Sequence, residues 1–330
     1  ININPSFAAT TNKTEFSRDE VSRDNDNVIT NQSNSSSFVE TTGKNFSIDL
    51  DLTKRFGDKG AYIKFSISKE HNTTETDDYL TSETNIFGTV PVDIIRDQFT
   101  DAEREFKGFN TSVAYRLPLK AKELFLDFKY SYRNDNRENI RSTYDFDDGT
   151  LDYSVFNMDL STDFEYTNKT NRPALKLTYR KDKLSTSIET GYVFRSLENE
   201  DLLRPELSLA RDFEALELRS NFRYRFSPKT SINFGYNLSN NPPNLSQLQP
   251  FQDVSNPLNK VTGNPNLEPS NNQRLNFGYH SFDFQKGTGI FGFLWANFRN
   301  NQVVANTTID ENFVRNTTFA NVDGAYDLNA

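Results

Sequence analysis

The sequence predicts an all-β chain, an antiparallel transmembrane β-barrel with short periplasmic turns and long extracellular loops. Three observations carry that prediction. Apolar and polar residues alternate with a period of two along most of the chain. The connections between these runs are very short at one end and long at the other. Ring side chains are abundant, yet no helix-forming apolar run is long enough to cross a bilayer.

Composition sets the frame. The chain has 330 residues, enough for one large or two medium domains. Its hydrophobic share of 35% is low and would by itself suggest disorder. The 29 Phe and 14 Tyr argue the opposite, since disordered chains are poor in aromatics. There is no Cys, which excludes disulfides, thiolate metal sites and Cys nucleophiles. A net charge of −9 argues against a broad nucleic-acid surface, so nucleic acid is not an expected partner. No stretch approaches about 18 consecutive apolar residues, so no transmembrane helix is expected. A barrel strand needs only about 9–11 residues with one apolar face, a signal that averaged hydropathy hides. The chain opens inside an alternating run and closes at Asn321–Tyr326 on what reads as the start of another strand. We therefore expect 1–330 to be a β-barrel domain fragment, cut at both ends from a longer protein.

The alternating runs follow in order. Phe46, Ile48, Leu50 and Leu52 alternate with Ser47, Asp49, Asp51 and Thr53. Ala61, Ile63, Phe65 and Ile67 share a second strand face, and Phe109, Val113, Tyr115 and Leu117 a third. Leu124, Leu126, Phe128, Tyr130 and Tyr132 oppose Phe125, Asp127, Lys129 and Ser131. Leu175, Leu177 and Tyr179 oppose Lys176, Thr178 and Arg180. Leu216, Leu218, Phe222, Tyr224 and Phe226 oppose Glu217, Arg219, Asn221, Arg223 and Arg225, and Ile232, Phe234, Tyr236 and Leu238 continue the series. Such alternation is the signature of half-exposed strands. In 281–298 it breaks, because Phe291, Phe293 and Trp295 lie on one parity and Ile290, Leu294 and Phe298 on the other. A bulge, or a strand buried on both faces, is expected there.

Periodicity alone does not separate a soluble barrel or sandwich from a membrane barrel. Connection lengths do. Short polar turns are expected at Gly57–Gly60, Lys120–Lys122, Lys181–Lys183, Ser227–Lys229 and Gln285–Thr288, with long irregular stretches at 70–106, 133–152 and 239–272. Compact soluble domains rarely carry several long loops, whereas membrane barrels have short periplasmic turns and long extracellular loops. Tyr and Phe near run ends, such as Tyr130, Tyr132, Tyr192, Phe194, Tyr224 and Phe226, suit a membrane interface.

Catalytic and metal chemistry finds little support. The two histidines, His71 and His280, are far apart and no metal is expected. The acidic runs Asp145–Asp148 and Glu198–Asp201 lack the spacing of a calcium loop and read as solvated charge. Nucleophile, zinc and nucleotide motifs are absent, so an enzyme is not expected. The Asn-x-Ser/Thr triplets, as at Asn12 and Asn237, follow from composition. Inward charges, among them Arg116, Arg219, Arg223, Arg225, Asp49, Asp51, Asp127 and Glu217, could pair across strands, line a ligand path or face a plug.

The most specific stretch runs from Asn241 to Tyr279. Pro242, Pro243, Leu248 and Pro250 are followed by Asn256 and Pro257, then by the Gly263-Asn264-Pro265-Asn266-Leu267-Glu268-Pro269 segment, after which alternation resumes. This run resembles the barrel of TonB-dependent outer-membrane receptors, in particular the outer-membrane β-barrel family of Bacteroidetes-type transporters. The remainder resembles the family in rhythm only. The resemblance implies a barrel of about 22 strands, of which about 14–18 can be seated here. It also implies energised uptake of a large or scarce nutrient such as a metal chelate, glycan or peptide. Implied partners are outer-membrane lipid, the protein's own plug domain, the TonB complex and a surface lipoprotein; no cofactor is implied. The ligand-binding residues are unknown at this stage, and the eleven residues of the Pro-rich run are expected to act structurally. A passive porin, an adhesin or an assembly protein is the alternative within the outer membrane. A soluble all-β protein is the alternative outside it.

Overall fold

The computed structural model describes residues 1–283 and 285–330. It contains the strands β1 (Asn2–Arg23), β2 (Ile29–Phe56), β3 (Ala61–Ile86), β4 (Val92–Lys120), β5 (Leu124–Asp147), β6 (Asp152–Phe156), β7 (Thr162–Lys181), β8 (Leu184–Asp201), β9 (Leu209–Ser227), β10 (Thr230–Asn241), β11 (Gln252–Asp253), β12 (Asn259–Thr262), β13 (Ser270–Asp283), β14 (Thr288–Asn300), β15 (Gln302–Ile309), β16 (Arg315–Val322) and β17 (Ala325–Asn329). Twelve of them form an antiparallel wall in the order β1-β2-β3-β4-β5-β7-β8-β9-β10-β13-β14-β17, with β6 paired to β5. A separate sheet runs β11-β12-β16-β15.

Because each wall strand reverses direction, connections alternate between two rims. Residues 57–60, 121–123, 182–183, 228–229 and 285–287 turn at one rim. Residues 24–28, 87–91, 148–161, 202–208, 242–269 and 301–324 cross at the other, so Asp58 and Asn264 lie at opposite rims. At the short-turn rim Gly60 has φ +96°, and a Cβ there would come within 2.8 Å of the Phe125 ring. Glycine therefore answers both the backbone conformation and the close ring.

Two of the expected loops prove to be strand. Residues 70–86 extend β3, 92–106 belong to β4, and 133–147 extend β5, leaving a five-residue connection at 87–91. The register from Tyr62↔Arg116 to Ile86↔Val92 is continuous. Alternation fades in these parts because both faces are wet above the membrane. The ladder hydrogen bonds need no apolar face, so the strand persists where its sequence signature does not. The same fact corrects the strand count: β2, β3 and β4 have 28, 26 and 29 residues, so fewer and longer strands make up the wall. The third expected loop, 239–272, holds as a connection across the rim, although its ends belong to β10 and β13 and it carries one helical turn and the short strands β11 and β12.

The segment 281–298 also differs from expectation. Apart from Phe284, which lies outside the described residues, it pairs without a register shift from Asn271↔Asn300 to Asp283↔Thr288. There is no bulge, and neither face is buried: Ile290, Phe291, Phe293 and Leu294 are all exposed.

The wall has two chemically distinct faces. One carries Val113, Tyr115, Phe128, Tyr130, Leu175, Tyr192 and Leu216, gathered in one apolar depression. The opposite parity carries Arg116, Lys176, Thr178, Asn221, Arg223, Asn233 and Asn276. On each strand the apolar face spans the ten or so residues next to the short turns. Further up it gives way to polar residues, as on β3, where Ile63, Phe65 and Ile67 are followed by Lys69, His71, Thr73, Glu75 and Asp77. A band of this height matches the roughly 25 Å apolar belt of membrane barrels. Rings mark its upper edge, with Phe109 near Tyr132 (6.5 Å) and Tyr192 against Phe194 (4.9 Å), and its lower edge, with Tyr224 against Phe226 (4.9 Å).

Candidate functional site

The long connections at the far rim fold back over the polar face. In the 242–269 segment, Asn244 caps the single turn Leu245–Leu248 through a capping box with Gln247. That turn drives Leu248 inward. Leu248 and Leu267, each 1% exposed, pack with Tyr166 of β7, Leu197 of β8 and Phe213 of β9, while Leu245, Val303 and Phe319 add partly buried contacts. Tyr166, Leu197 and Phe213 have the parity of Arg172, Glu189 and Glu217 on their own strands, so the roofed face is the polar, lumenal one. By the same parity Leu216, Leu218, Phe222, Tyr224 and Phe226 point outward, and Glu217, Arg219, Asn221, Arg223 and Arg225 point into the lumen.

Hydrogen bonds complete the roof. Asn264 donates its backbone N–H to the Gln247 carbonyl (2.6 Å) and its Nδ2 to the Phe319 carbonyl (2.9 Å). Gly263 lies so close to Gln249 that a Cβ would sit 2.2 Å from the Gln249 carbonyl oxygen. Asn256 accepts the Leu258 N–H through Oδ1 (2.9 Å), which starts the turn into β12. β12 then pairs in parallel with β16. The prolines at 242, 243, 250, 257, 265 and 269 remove N–H donors from a segment that makes few ladder bonds. Thus Leu248, Gly263, Asn264 and Leu267 are brought together in one packed unit, Pro242 and Pro243 line a neighbouring chamber, and Asn256 and Pro257 lie in the turn before β12.

Arginines of the wall and of the 202–208 connection hold this roof. Arg96 donates to the carbonyls of Ser255 (2.7 Å) and Val254 (3.0 Å). Arg211 reaches the Pro265 carbonyl (2.6 Å) and the Glu268 carboxylate (3.2 Å). Arg204 donates to the carbonyls of Met158 and Ser161, pairs with the fully buried Asp201 carboxylate, and stacks 4.1 Å from the Phe251 ring centroid. The β15–β16 hairpin spans the mouth, and its tip meets the β2–β3 side of the wall. Asn31 donates to the Phe313 carbonyl (3.1 Å), and Val90 N–H reaches Asn312 Oδ1 (3.5 Å). Within that tip, burial works to raise the Asp310 carboxyl. The Val314 and Asn312 amides and the Asn316 side chain outweigh it and hold the carboxyl below its usual range.

Between the roof and the wall of β3, β4, β5 and β7 lies an open chamber of about 920 Å³. Arg104, Phe106, Arg137, Asn139, Tyr166 and Asn168 face it from the wall, and Pro242, Pro243, Asn244, Ser246 and Gln249 from the roof. Sequence reasoning missed Arg104, Phe106, Arg137 and Asn139 because it assigned 70–106 and 133–152 to loops. Counting in twos from Asp127 along β5 reaches Arg137 and Asn139, so the parity was present though no apolar residue marked it.

The inward charges divide. Arg116 makes a bidentate pair with Asp127 (2.5 and 2.7 Å), Asp51 pairs with Lys64 (2.9 Å), and Glu217 with Arg172 (2.8 Å). Asp49, Arg219, Arg223 and Arg225 have no ion pair among the described residues. His71 lies within β3 rather than at its end and contacts Glu105 (2.8 Å); His280 meets the Phe291 ring edge to face (5.0 Å). Among the described residues no group of acidic or His side chains is arranged to hold a metal.

A wall that is apolar outside and charged inside, with a roof over one mouth, defines an outer-membrane β-barrel. The chain belongs to the outer membrane protein beta-barrel family, whose model matches residues 54–330, and it is a protein of the Gram-negative outer membrane. No curated protein matches it by sequence. Among solved structures it is similar to the ferric citrate transporter FecA in its unliganded form, with 11% identity, a TM-score of 0.51, and coverage of 88% of this chain and 46% of that one. It is also similar to the copper transporter OprC, with 9% identity, a TM-score of 0.51, and coverage of 96% and 52%. At such identities the likeness is one of fold, that of TonB-dependent receptor barrels. The chain spans about half the length of these transporters.

Proposed function

We propose that the chain is the barrel part of a TonB-dependent transporter that takes up a large or scarce nutrient, such as a metal chelate, a glycan or a peptide, and that it is not an enzyme. The observation that carries this reading is the roof. A polar lumen capped by packed Leu248 and Leu267 is built for capture, whereas a passive porin needs an open water path. The transporters of similar fold, for ferric citrate and for copper, support the same reading. On this proposal residues 1–330 are a barrel domain fragment, and a plug domain, the TonB complex and a surface lipoprotein are partners. The eleven residues of the Pro-rich run, Pro242 to Pro269, serve as the structural frame of the roof. The test is uptake by cells carrying the full-length protein, with and without TonB and with and without a protonophore. Capture at the surface with uptake abolished by loss of either energy source is expected. Uptake unaffected by both would refute energised transport.

A further inference from the structure

We infer that the chamber under the roof binds a ligand bearing clustered carboxylates, gripped by Arg104 and Arg137. This rests on the transporter reading only in that a nutrient must be held at the mouth.

The argument begins with charge that has no internal answer. On the same lumenal face, Arg116 is met by Asp127, Arg133 by Asp135, Arg172 by Glu189 and Glu217, and Arg204 by Asp201. Arg104 donates only to the neutral Asn139 Oδ1 (3.2 Å). Arg137 has no ion pair or hydrogen bond among the described residues. Its guanidinium lies 5.3 Å from the Phe106 ring centroid and 6.0 Å from that of Tyr166. Ring contacts on a guanidinium fix its plane and leave its N–H edge free, the geometry that takes a carboxylate through two parallel hydrogen bonds.

Of the carboxylates bordering the chamber, Glu70 alone has the lumenal parity; it accepts from Asn72 Nδ2 (2.7 Å), makes no ion pair with either arginine among the described residues, and leaves the two guanidiniums in excess. Glu105 and Glu138 belong to the outward parity, and the Glu105 carboxylate is held by His71 and Lys107. A second observation comes from the roof. Gln249 is 6% exposed, borders the chamber, and leaves its Nε2 donor without a partner. A buried donor of this kind calls for an acceptor, which an oxyanion supplies. Asn139, Asn168, Asn244 and Ser246 add amides and a hydroxyl around it, suited to a ligand rich in hydrogen-bonding groups.

The test uses the full-length protein in detergent, with heat-modifiable gel migration reporting that each variant is folded. Calorimetric titrations with citrate and with trigalacturonate distinguish a free polycarboxylate from sugar-borne carboxylates, and maltotriose is the neutral control. Binding of either acid is expected, weakening with added salt. Arg104→Gln and Arg137→Gln should each weaken it about tenfold to a hundredfold, with Arg137→Lys between them and the native protein. Lys13→Gln, which breaks an ion pair on the first hairpin, should leave it unchanged. The inference is overturned if neither acid binds, if maltotriose binds as tightly, or if the folded glutamine variants bind like the native protein. Energised uptake without acid binding removes this inference alone. Acid binding without energised uptake removes the transporter reading alone.

Discussion

Replacing Phe222 by arginine tests which side of the wall meets lipid. Phe222 lies five residues from Ser227, the last residue of β9. At roughly 3.3 Å per residue this is about 17 Å along the strand, and a tilt near 40° reduces it to about 13 Å of height. The apolar belt is about 25 Å tall, so Phe222 stands close to mid-depth, between Thr186 of β8 and Phe234 of β10. An arginine at the midplane costs about 2–4 kcal/mol in such barrels, which lowers the folded-to-unfolded ratio about 30- to 700-fold. Arg223, one residue away, points into the lumen and has no ion pair among the described residues. Arg223→Ala should therefore change stability by no more than about 0.5 kcal/mol. The assay is reversible urea unfolding of the full-length protein in lipid vesicles, read by gel mobility. Equal costs for the two variants, or a neutral Phe222→Arg beside a damaging Arg223→Ala, would refute the assignment of faces and with it the membrane reading.

Three further outcomes follow from the roof and the far rim. Leu267→Ala removes a side chain that is 1% exposed and should loosen the roof by about 2–5 kcal/mol, seen as faster proteolysis of 242–269 with unchanged gel mobility of the wall. Gly263→Ala should produce the same loosening, because its methyl would overlap the Gln249 carbonyl; undiminished protease protection would count against the packing described. On the outer face of the far rim, burial and then the hydrogen bond to Asp97 push the Tyr153 phenol up to about 12. A raised phenol favours the neutral form in the folded state. Its contribution is therefore intact below pH 10 and is lost as the pH rises through about 12, so the late part of the tyrosinate absorbance titration should shrink in Tyr153→Phe.

The membrane half of this fold was legible in the sequence, and the physical reason is narrow. Where one face meets lipid and the other water, residues such as Leu216 and Glu217 must alternate, and the eye can follow them. Above the membrane that constraint ends. In 70–86 and 133–147 polar side chains serve either face equally well, so nothing in the residue types announces a strand, although both segments stay in register with β4 up to Asp145. The Pro-rich run was legible as a motif, but its inward packing was not. Leu248 and Leu267 are 19 residues apart in a polar segment, and only the capped turn at Asn244 and the close approach at Gly263 place them on the same cluster. Arg104 and Arg137 stayed hidden for the reason that hid their strands.

The β15–β16 hairpin carries a geometric consequence for the mouth. The hairpin is a strut that runs from β14 and β17 to Asn31 and Val90, on distant strands of the wall. Each of its strands has eight residues, so it measures about 26 Å. A strut of set length holds these two parts of the far rim at a set separation, as a spacer does. Two residues added to each strand would lengthen it by about 7 Å, and the tip would overshoot its seat on Asn31.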